Sequence, residues 1–247
     1  MAFIGTDNKE DYVVVNGTVV ASGLTQTQWP LTTDDEGEAL AVVAQIGRKR
    51  VLWTNSRTVP IQRHAWPGVG ADGRTVGFVD MDDVIVGGDR VKVDGDPMAI
   101  AIGPDGKLAA YAVYAKVDDH ETEIVWGGRR IVEKFEVHTM RVSPDGKSLA
   151  YIATREQDGR KYTVVVVDGR DGPPTAWAGS LRFAPDGRVV YRASKDDSAF
   201  LVVGDRAYAL EGQLPFHFRV VFSPDMKRAG YGTMIGREMW WKTVALE

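Results

Sequence analysis

The 247-residue sequence contains no cysteine, which excludes disulfide bonds, thiolate zinc sites and a cysteine nucleophile. It also lacks any concentration of positive charge. Its 30 lysines and arginines are scattered among 34 acidic residues, and the formal net charge is −4. Domains that bind nucleic acid usually carry a basic patch, so this charge pattern predicts a partner other than nucleic acid. No apolar run approaches the roughly 20 residues that a membrane-spanning helix needs.

The chain also lacks several functional signatures. The opening residues, MAFIGTDNKEDY, contain neither the basic nor the apolar segment of a secretory signal. We therefore expect a cytoplasmic protein as the chain stands, or a periplasmic one if a signal segment has been removed. No phosphate-binding loop and no serine elbow of the G-x-S-x-G form occurs. The sequence therefore predicts no cofactor and identifies no catalytic residue.

Turn signals, by contrast, recur at a nearly constant period. An apolar strand, a turn of the Pro-Asp-Gly type and a second apolar strand appear six times, with spacings of 36, 33, 40, 41 and 39 residues. The third turn position is held by Gly37, Gly73, Gly106, Gly146, Gly187 and Met226. Proline presets φ, aspartate hydrogen-bonds to nearby backbone, and glycine accepts positive φ. Met226 should therefore adopt this conformation with strain, or form a turn of another type.

A second turn signal lies halfway between the first ones. Six pairs of residues suited to tight two-residue hairpins separate apolar runs: Asn16-Gly17, Asn55-Ser56, Gly87-Gly88, Gly127-Gly128, Asp168-Gly169 and Gly204-Asp205. Together the two signals predict four antiparallel strands per repeat, which we call strands A, B, C and D. Four antiparallel strands in every 33 to 41 residues predict an all-β propeller formed as one domain over residues 1–247. A sandwich or barrel is the alternative, but neither requires a repeated sequence.

The number of blades follows from how the repeats are counted. Ala2–Gly5 matches Ala150–Ala153 in phase, so the N-terminus supplies strands B, C and D of a blade without strand A. We therefore expect seven short four-stranded blades, of which the first is incomplete. The alternative is six blades, a count that leaves the last hairpin, Arg228–Leu246, without a place.

The segments SPDGKSLAYIA, YTVVVVDGRDGPPTAW and LRFAPDGRVVYRAS resemble the WD40-like Pro-Asp repeat of bacterial propellers, the TolB type. The resemblance is strongest over Met98–Arg192. It implies a propeller fold and a role as a protein-binding scaffold, often in the cell envelope. Some propellers with similar repeats precede a serine peptidase domain, and this sequence contains no such domain.

Candidate binding residues cluster before strand A, which normally lines the central channel of a propeller. They are Trp29, His64, Trp66, His138 and His217. His64 and His217 each precede their turn aspartate by eight residues, whereas His138 precedes its own by seven. Because side chains alternate along a strand, His138 should point to the other side, which argues against a ring of three histidine ligands. We predict a binding surface at the channel mouth and no metal.

The remaining conspicuous residues have structural interpretations. The acidic group Asp80, Asp82, Asp83, Asp94 and Asp96 lacks the ligand order of a calcium loop, so we interpret it as solvated loop carboxylates. Asp72, Asp105, Asp145, Asp186 and Asp225 recur in nearly every repeat, so we interpret them as turn formers. Trp53, Trp126 and Trp240 fall on strand C and should pack between blades.

The favoured function is a non-enzymatic scaffold that presents propeller loops to a protein or peptide partner. The loops between strands B and C, such as Lys116–Glu121 and Arg155–Arg160, are the expected contacts. The alternative is a hydrolase-like enzyme with a metal or small-molecule site at the channel mouth. We expect a monomer or a weak oligomer through the terminal strands, with EMWWKTVALE as the candidate segment.

Overall fold

β-Strands form all the regular structure in the described part of the chain. The computed structural model describes residues 2–7, 10–15, 17–33, 40–54, 58–61, 68–72, 74–80, 83–116, 121–134, 137–196, 198–212, 220–223 and 225–246. Within these ranges there is no helix with the length and hydrophobicity that a membrane crossing would require. The chain falls into two compact units, Met1–Leu149 and Ala150–Glu247, which are described separately. The expectation of a single domain over residues 1–247 stays a prediction.

The first unit contains fifteen strands within its described residues. They are β1 (Ala2–Asp7), β2 (Glu10–Val15), β3 (Thr18–Thr33), β4 (Leu40–Ile46), β5 (Lys49–Thr54), β6 (Thr58–Pro60), β7 (Gly68–Val69), β8 (Val76–Asp80), β9 (Asp83–Val86), β10 (Asp89–Val91), β11 (Pro97–Ile102), β12 (Leu108–Lys116), β13 (Glu121–Trp126), β14 (Arg129–Glu133) and β15 (Val137–Val142). Strands β1 to β6 form the first sheet, β7 to β10 the second and β11 to β14 the third.

The second unit contains the remaining strands of the described chain. They are β16 (Leu149–Gln157), β17 (Arg160–Val167), β18 (Arg170–Asp171), β19 (Trp177–Phe183), β20 (Val189–Lys195), β21 (Ser198–Val203), β22 (Arg206–Leu210), β23 (Val220–Phe222), β24 (Arg228–Ile235) and β25 (Glu238–Ala245). The fourth sheet has the order β15-β16-β17-β18, and β16 begins at the last residue of the first unit. Strands β19 to β22 form the fifth sheet, and β23 to β25 form a three-stranded sixth sheet.

The described strands form six sheets, so the expectation of seven blades is wrong and the six-blade alternative is correct. The repeat count treated the first three strands as a blade of their own. In the structure β3 runs for 16 residues and merges strand D of that segment with strand A of the next. It pairs with β2 at its beginning and with β4 at its end. The last hairpin, which six blades seemed to leave without a place, forms two strands of the sixth sheet.

Hydrogen bonds to Asp11 hold the middle of β3 beside β2. The Asp11 carboxylate accepts from the amide of Thr27 at 3.0 Å and from its hydroxyl at 2.7 Å, and from the Thr6 hydroxyl at 2.8 Å. These bonds, led by the Thr27 amide, lower the pKa of Asp11. Register shifts near Gly23 and Gln26, both with positive φ, let β3 bend without ending. The strand therefore continues without interruption from its pairing with β2 to its pairing with β4.

The Pro-Asp-Gly-type turns within the described residues have the expected geometry, whereas Gly37 and Gly73 lie outside the described residues. Gly106, Gly146 and Gly187 have φ between 72° and 83°, and their amides donate to the carbonyl three residues earlier. Met226 occupies the equivalent position with φ of 56°, and its amide donates to Ser223 at 2.9 Å. A non-glycine residue in this region carries a steric cost of roughly 1–2 kcal/mol. The prediction of a strained methionine is therefore confirmed.

Apolar clusters form the core of each unit. In the first unit, Ile4, Val13 and Leu24 pack against Val42 and Ala44, and Trp53 contacts this cluster. All of these residues lie on strands of the first sheet, so packing of Trp53 between blades stays a prediction. In the second unit, two clusters join neighbouring sheets. One joins the fourth and fifth sheets and contains Ile152, Val165, Leu181 and Tyr191 among others. The other joins the fifth and sixth sheets and contains Leu201, Val203, Ala229, Tyr231 and Leu246 among others.

Candidate functional site

The five residues expected at the channel mouth cannot be assembled from the described side chains. Trp29 lies on β3 and His138 on β15, and the side chains of both are outside the described part. His64, Trp66 and His217 lie outside the described residues altogether. The channel-mouth surface and the enzymatic alternative therefore both stay predictions.

The turn aspartates are structural, as the sequence indicated. Asp105, Asp145, Asp186 and Asp225 each accept the amide two residues further on, at 3.0 to 3.1 Å. Asp72 likewise accepts the amide two residues further on, that of Arg74, at 3.2 Å, and it also accepts the amide of Thr75 at 3.0 Å. Serine hydroxyls add a second bond to two of these carboxylates, from Ser143 to Asp145 and from Ser223 to Asp225, each at 2.6 Å. The carboxylate oxygens are therefore engaged in the turns themselves.

The acidic group of the first unit is partly different from its interpretation. Asp94 is exposed and bonds to Arg130, as expected of a solvated carboxylate, and Asp83 pairs with Arg90. Asp80, however, is a buried residue on β8, so its interpretation as a loop carboxylate is wrong. Asp82 lies outside the described residues. Among the described residues, no group of three or more histidine or acidic side chains could hold a metal ion.

A long hairpin, formed by β16 and β17, is the most distinctive surface element of the second unit. Its register is unbroken from Ala150↔Val167 to Gln157↔Arg160. The inner half is buried, whereas side chains beyond Thr154 become progressively exposed. Strand β18 pairs only with Val166 and Val167, and Thr175 forms a further bridge with Thr163, so among the described residues no strand pairs with residues 160–162 on that side of β17. We name the exposed end, residues 155–161, the B–C hairpin tip.

An ion pair anchors the base of the B–C hairpin tip. The guanidinium of Arg155 donates through Nε to Oδ2 of Asp171 at 3.0 Å, and through Nη2 to Oδ1 at 2.9 Å. Two parallel bonds of this kind fix the orientation of both side chains. The Arg155 side chain is only 21% exposed. The contact therefore ties the hairpin to the strand that follows it, which the spacing of 16 residues in the sequence did not reveal.

The turn of the B–C hairpin tip is conformationally restricted. Asp158 and Gly159 both have positive φ, 53° and 72°, as a type I′ turn requires. Around this turn Glu156 lies opposite Lys161, and Arg160 lies opposite Gln157. These four side chains are exposed. Residues Arg155–Arg160 were expected to form a loop, yet their Asp-Gly pair is the signal that could have identified a hairpin.

The other expected contact, Lys116–Glu121, is described only at its ends. Lys116 lies opposite Glu121 where β12 meets β13, and residues 117–120 lie outside the described residues.

One feature missed by sequence reasoning is Arg192 of β20, which is 3% exposed. Its guanidinium carbon lies 5.8 Å from the ring centroid of Trp177, and burial lowers the pKa of the arginine. A cation–π contact at this distance stabilises a buried arginine.

The comparisons with known proteins support the fold. No family model and no curated protein sequence matches this chain. Among solved structures, this chain is similar to the β-propeller domain of the trilobed protease from Pyrococcus furiosus, which is described as having an open velcro topology. The similarity covers 98% of this chain and 90% of the protease propeller chain. The TM-score is 0.55 and the sequence identity 12%. This similarity shows a β-propeller, as the sequence predicted.

Two further structures show the same kind of similarity at lower scores. The match to the β-propeller domain of Cps50 (Swd1) from Myceliophteria thermophila covers 91% of this chain and 87% of the Cps50 chain, with 13% identity and a TM-score of 0.48. The match to TolB from Acinetobacter baumannii covers 99% of this chain and 76% of the TolB chain, with 12% identity and a TM-score of 0.43. Membership of the Pro-Asp repeat family therefore stays a prediction.

Proposed function

We propose that this protein is a non-enzymatic binding scaffold, and that the B–C hairpin tip contacts a protein or peptide partner. The observation that supports this is a charged, exposed hairpin held in one conformation by a type I′ turn and the Arg155–Asp171 pair. Binding is opposed by the entropy of ordering flexible loops. A contact surface that is already ordered loses less on association.

The charge arrangement of the tip indicates the kind of partner. Glu156 and Asp158 are negative, whereas Arg160 and Lys161 are positive, so both signs lie within one hairpin. Such a surface complements a partner that carries both signs, which is typical of a folded protein surface rather than of nucleic acid. Mixed charges contribute to specificity and association rate more than to affinity.

The hairpin contains its own matched control. Arg160 follows Asp158-Gly159 and Arg170 follows Asp168-Gly169, so each exposed arginine is the first residue after an Asp-Gly turn. The two arginines lie at opposite ends of the same hairpin system, because β17 runs between the two turns. The substitutions R160E and R170E therefore change charge equally in the same local setting, and only the first alters the tip.

The test is capture of partners on immobilised protein from a lysate of the source organism, read by mass spectrometry. We expect a protein to be retained by the wild type and by R170E, and its retention to fall at least about tenfold with R160E. Circular dichroism of all three proteins checks that each is folded. Equal capture by R160E and R170E, or capture of nothing by the wild type, would contradict the proposal.

A further inference from the structure

The last strand of the described chain, β25, forms an edge of the sixth sheet and carries large apolar side chains. The order β23-β24-β25 places it at the end of that sheet, which has three strands where the fifth has four. Met239 is 67% exposed, Trp240 50% and Trp241 58%. Trp240 was expected to pack between blades, and that expectation is wrong. A long, apolar edge strand is a template for pairing with another strand.

The backbone of β25 determines which registers of pairing are possible. The amide of Leu246 donates to the carbonyl of Lys227 at 2.7 Å, and Leu246 is in register with that residue. Hydrogen-bonded and non-hydrogen-bonded positions alternate in an antiparallel ladder. Even-numbered residues of β25 therefore bond to β24, and the amides and carbonyls of Met239, Trp241 and Thr243 point outward. Among the described strands, none pairs with this outer edge.

Two copies of β25 can meet only with like positions opposite each other. A two-fold axis must then place one residue of β25 opposite the same residue of the second copy. The residue numbers of every opposed pair therefore add up to the same even number. Glu238 and Lys242 are the only charged residues of β25. Of the registers that parity permits, the one centred on Trp240 is the register that places each Glu238 opposite Lys242 of the other copy. We propose that this protein self-associates by antiparallel pairing of β25 with β25 of a second copy in this register.

The proposed register brings complementary side chains together on both faces of the new ladder. On one face, Trp240 meets Trp240 of the second copy at a non-hydrogen-bonded position, where opposed side chains are closest. Two Glu238–Lys242 pairs flank this aromatic contact. On the other face, each Met239 meets a Trp241, and a thioether beside an aromatic ring is favourable. Lys242 already contacts Glu211 in its own chain, which places its ammonium on the face that Glu238 shares.

The first test is molar mass against concentration, by sedimentation equilibrium of the full chain. We expect the mass to rise from 27.1 kDa towards twice that value. The variant M239P removes an outward amide that β24 does not use, and M239A removes the same side chain but keeps the amide. M239P should raise the dissociation constant at least tenfold relative to M239A. A monomer at every concentration, or equal dimerisation of M239P and M239A, overturns the proposal.

The second test examines the register. E238K places lysine opposite Lys242 of the other copy and should raise the dissociation constant, whereas the double variant E238K/K242E restores opposite charges across the axis and should lower it again. Thermal unfolding shows that each variant is folded. Rescue by the double variant supports the proposed register. A folded double variant that dimerises no better than E238K overturns it.

Discussion

The indole ring of Trp241 lies against the backbone of Gly230 on the neighbouring strand. A Cβ added to Gly230 would lie 2.6 Å from Cζ2 and 3.0 Å from Nε1 of that ring. The two residues are diagonal neighbours, because Gly230 is opposite Thr243 and Trp241 is opposite Gly232. The absence of a side chain at position 230 is therefore what lets an exposed tryptophan lie flat on its own sheet.

Replacing Gly230 with alanine should displace this ring. A contact this short cannot persist, so the indole must move away from β24, and we expect the free energy of unfolding to fall by about 1–3 kcal/mol. Near-ultraviolet circular dichroism should report the altered tryptophan environment. Gly68 is a suitable control, because its added Cβ would meet only Arg141 Nη1 at 3.7 Å. An unchanged tryptophan signal in G230A would contradict the packing described here.

The strain at Met226 predicts unequal effects of substitution at two equivalent turns. Gly187 has φ of 83° and open space where a Cβ would lie, so G187M should lower the free energy of unfolding by about 1–2 kcal/mol through strain alone. M226G relieves the same strain but loses the contact of the methionine with the cluster between the fifth and sixth sheets. We therefore expect a net change below about 1 kcal/mol for M226G, measured by urea unfolding. A large loss in M226G would show that packing dominates over strain.

The serine-aspartate turns predict a dependence of stability on pH. The Ser223 hydroxyl, and then the amide of Lys227, lower the pKa of Asp225 below its ordinary value of 3.8. A lowered pKa in the folded state means that the turn contributes stability above about pH 4, and that this contribution is lost as pH falls through the folded pKa. Because S223A removes the largest cause, the loss of stability between about pH 4 and pH 2 should be smaller in S223A than in the wild type.

Asp145 provides the comparison for that measurement. Its pKa is lowered in the same way by the Ser143 hydroxyl, so S143A should have the same effect and the double variant a larger one. Denaturant unfolding at about pH 7, 4 and 2.5 measures the three variants. An acid dependence that S223A leaves unaltered would show that the Ser223 hydroxyl does not favour the charged carboxylate.

Local turn chemistry is sufficient to predict the strand-turn-strand units of this protein. Turn chemistry acts over about four residues, so proline, aspartate and glycine specify where β11, β15 and β19 end and where the next strands begin. The strain at Met226 could be predicted for the same reason. The hairpin at Asp158-Gly159 was also within reach of sequence reasoning, because the same pair at Asp168-Gly169 had been identified.

Other features depend on residues that are distant in the sequence and could be seen only in the folded chain. The blade count changed because β3 continues through a segment without a turn, held by Asp11 to Thr27 across 16 residues. Neighbouring strands determine the burial of Asp80, the exposure of Trp240 and the pairing of Arg155 with Asp171. A local sequence pattern does not specify which strands become neighbours. The candidate surfaces therefore rest on tertiary contacts, whereas the repeating strands that carry them follow from local backbone preferences.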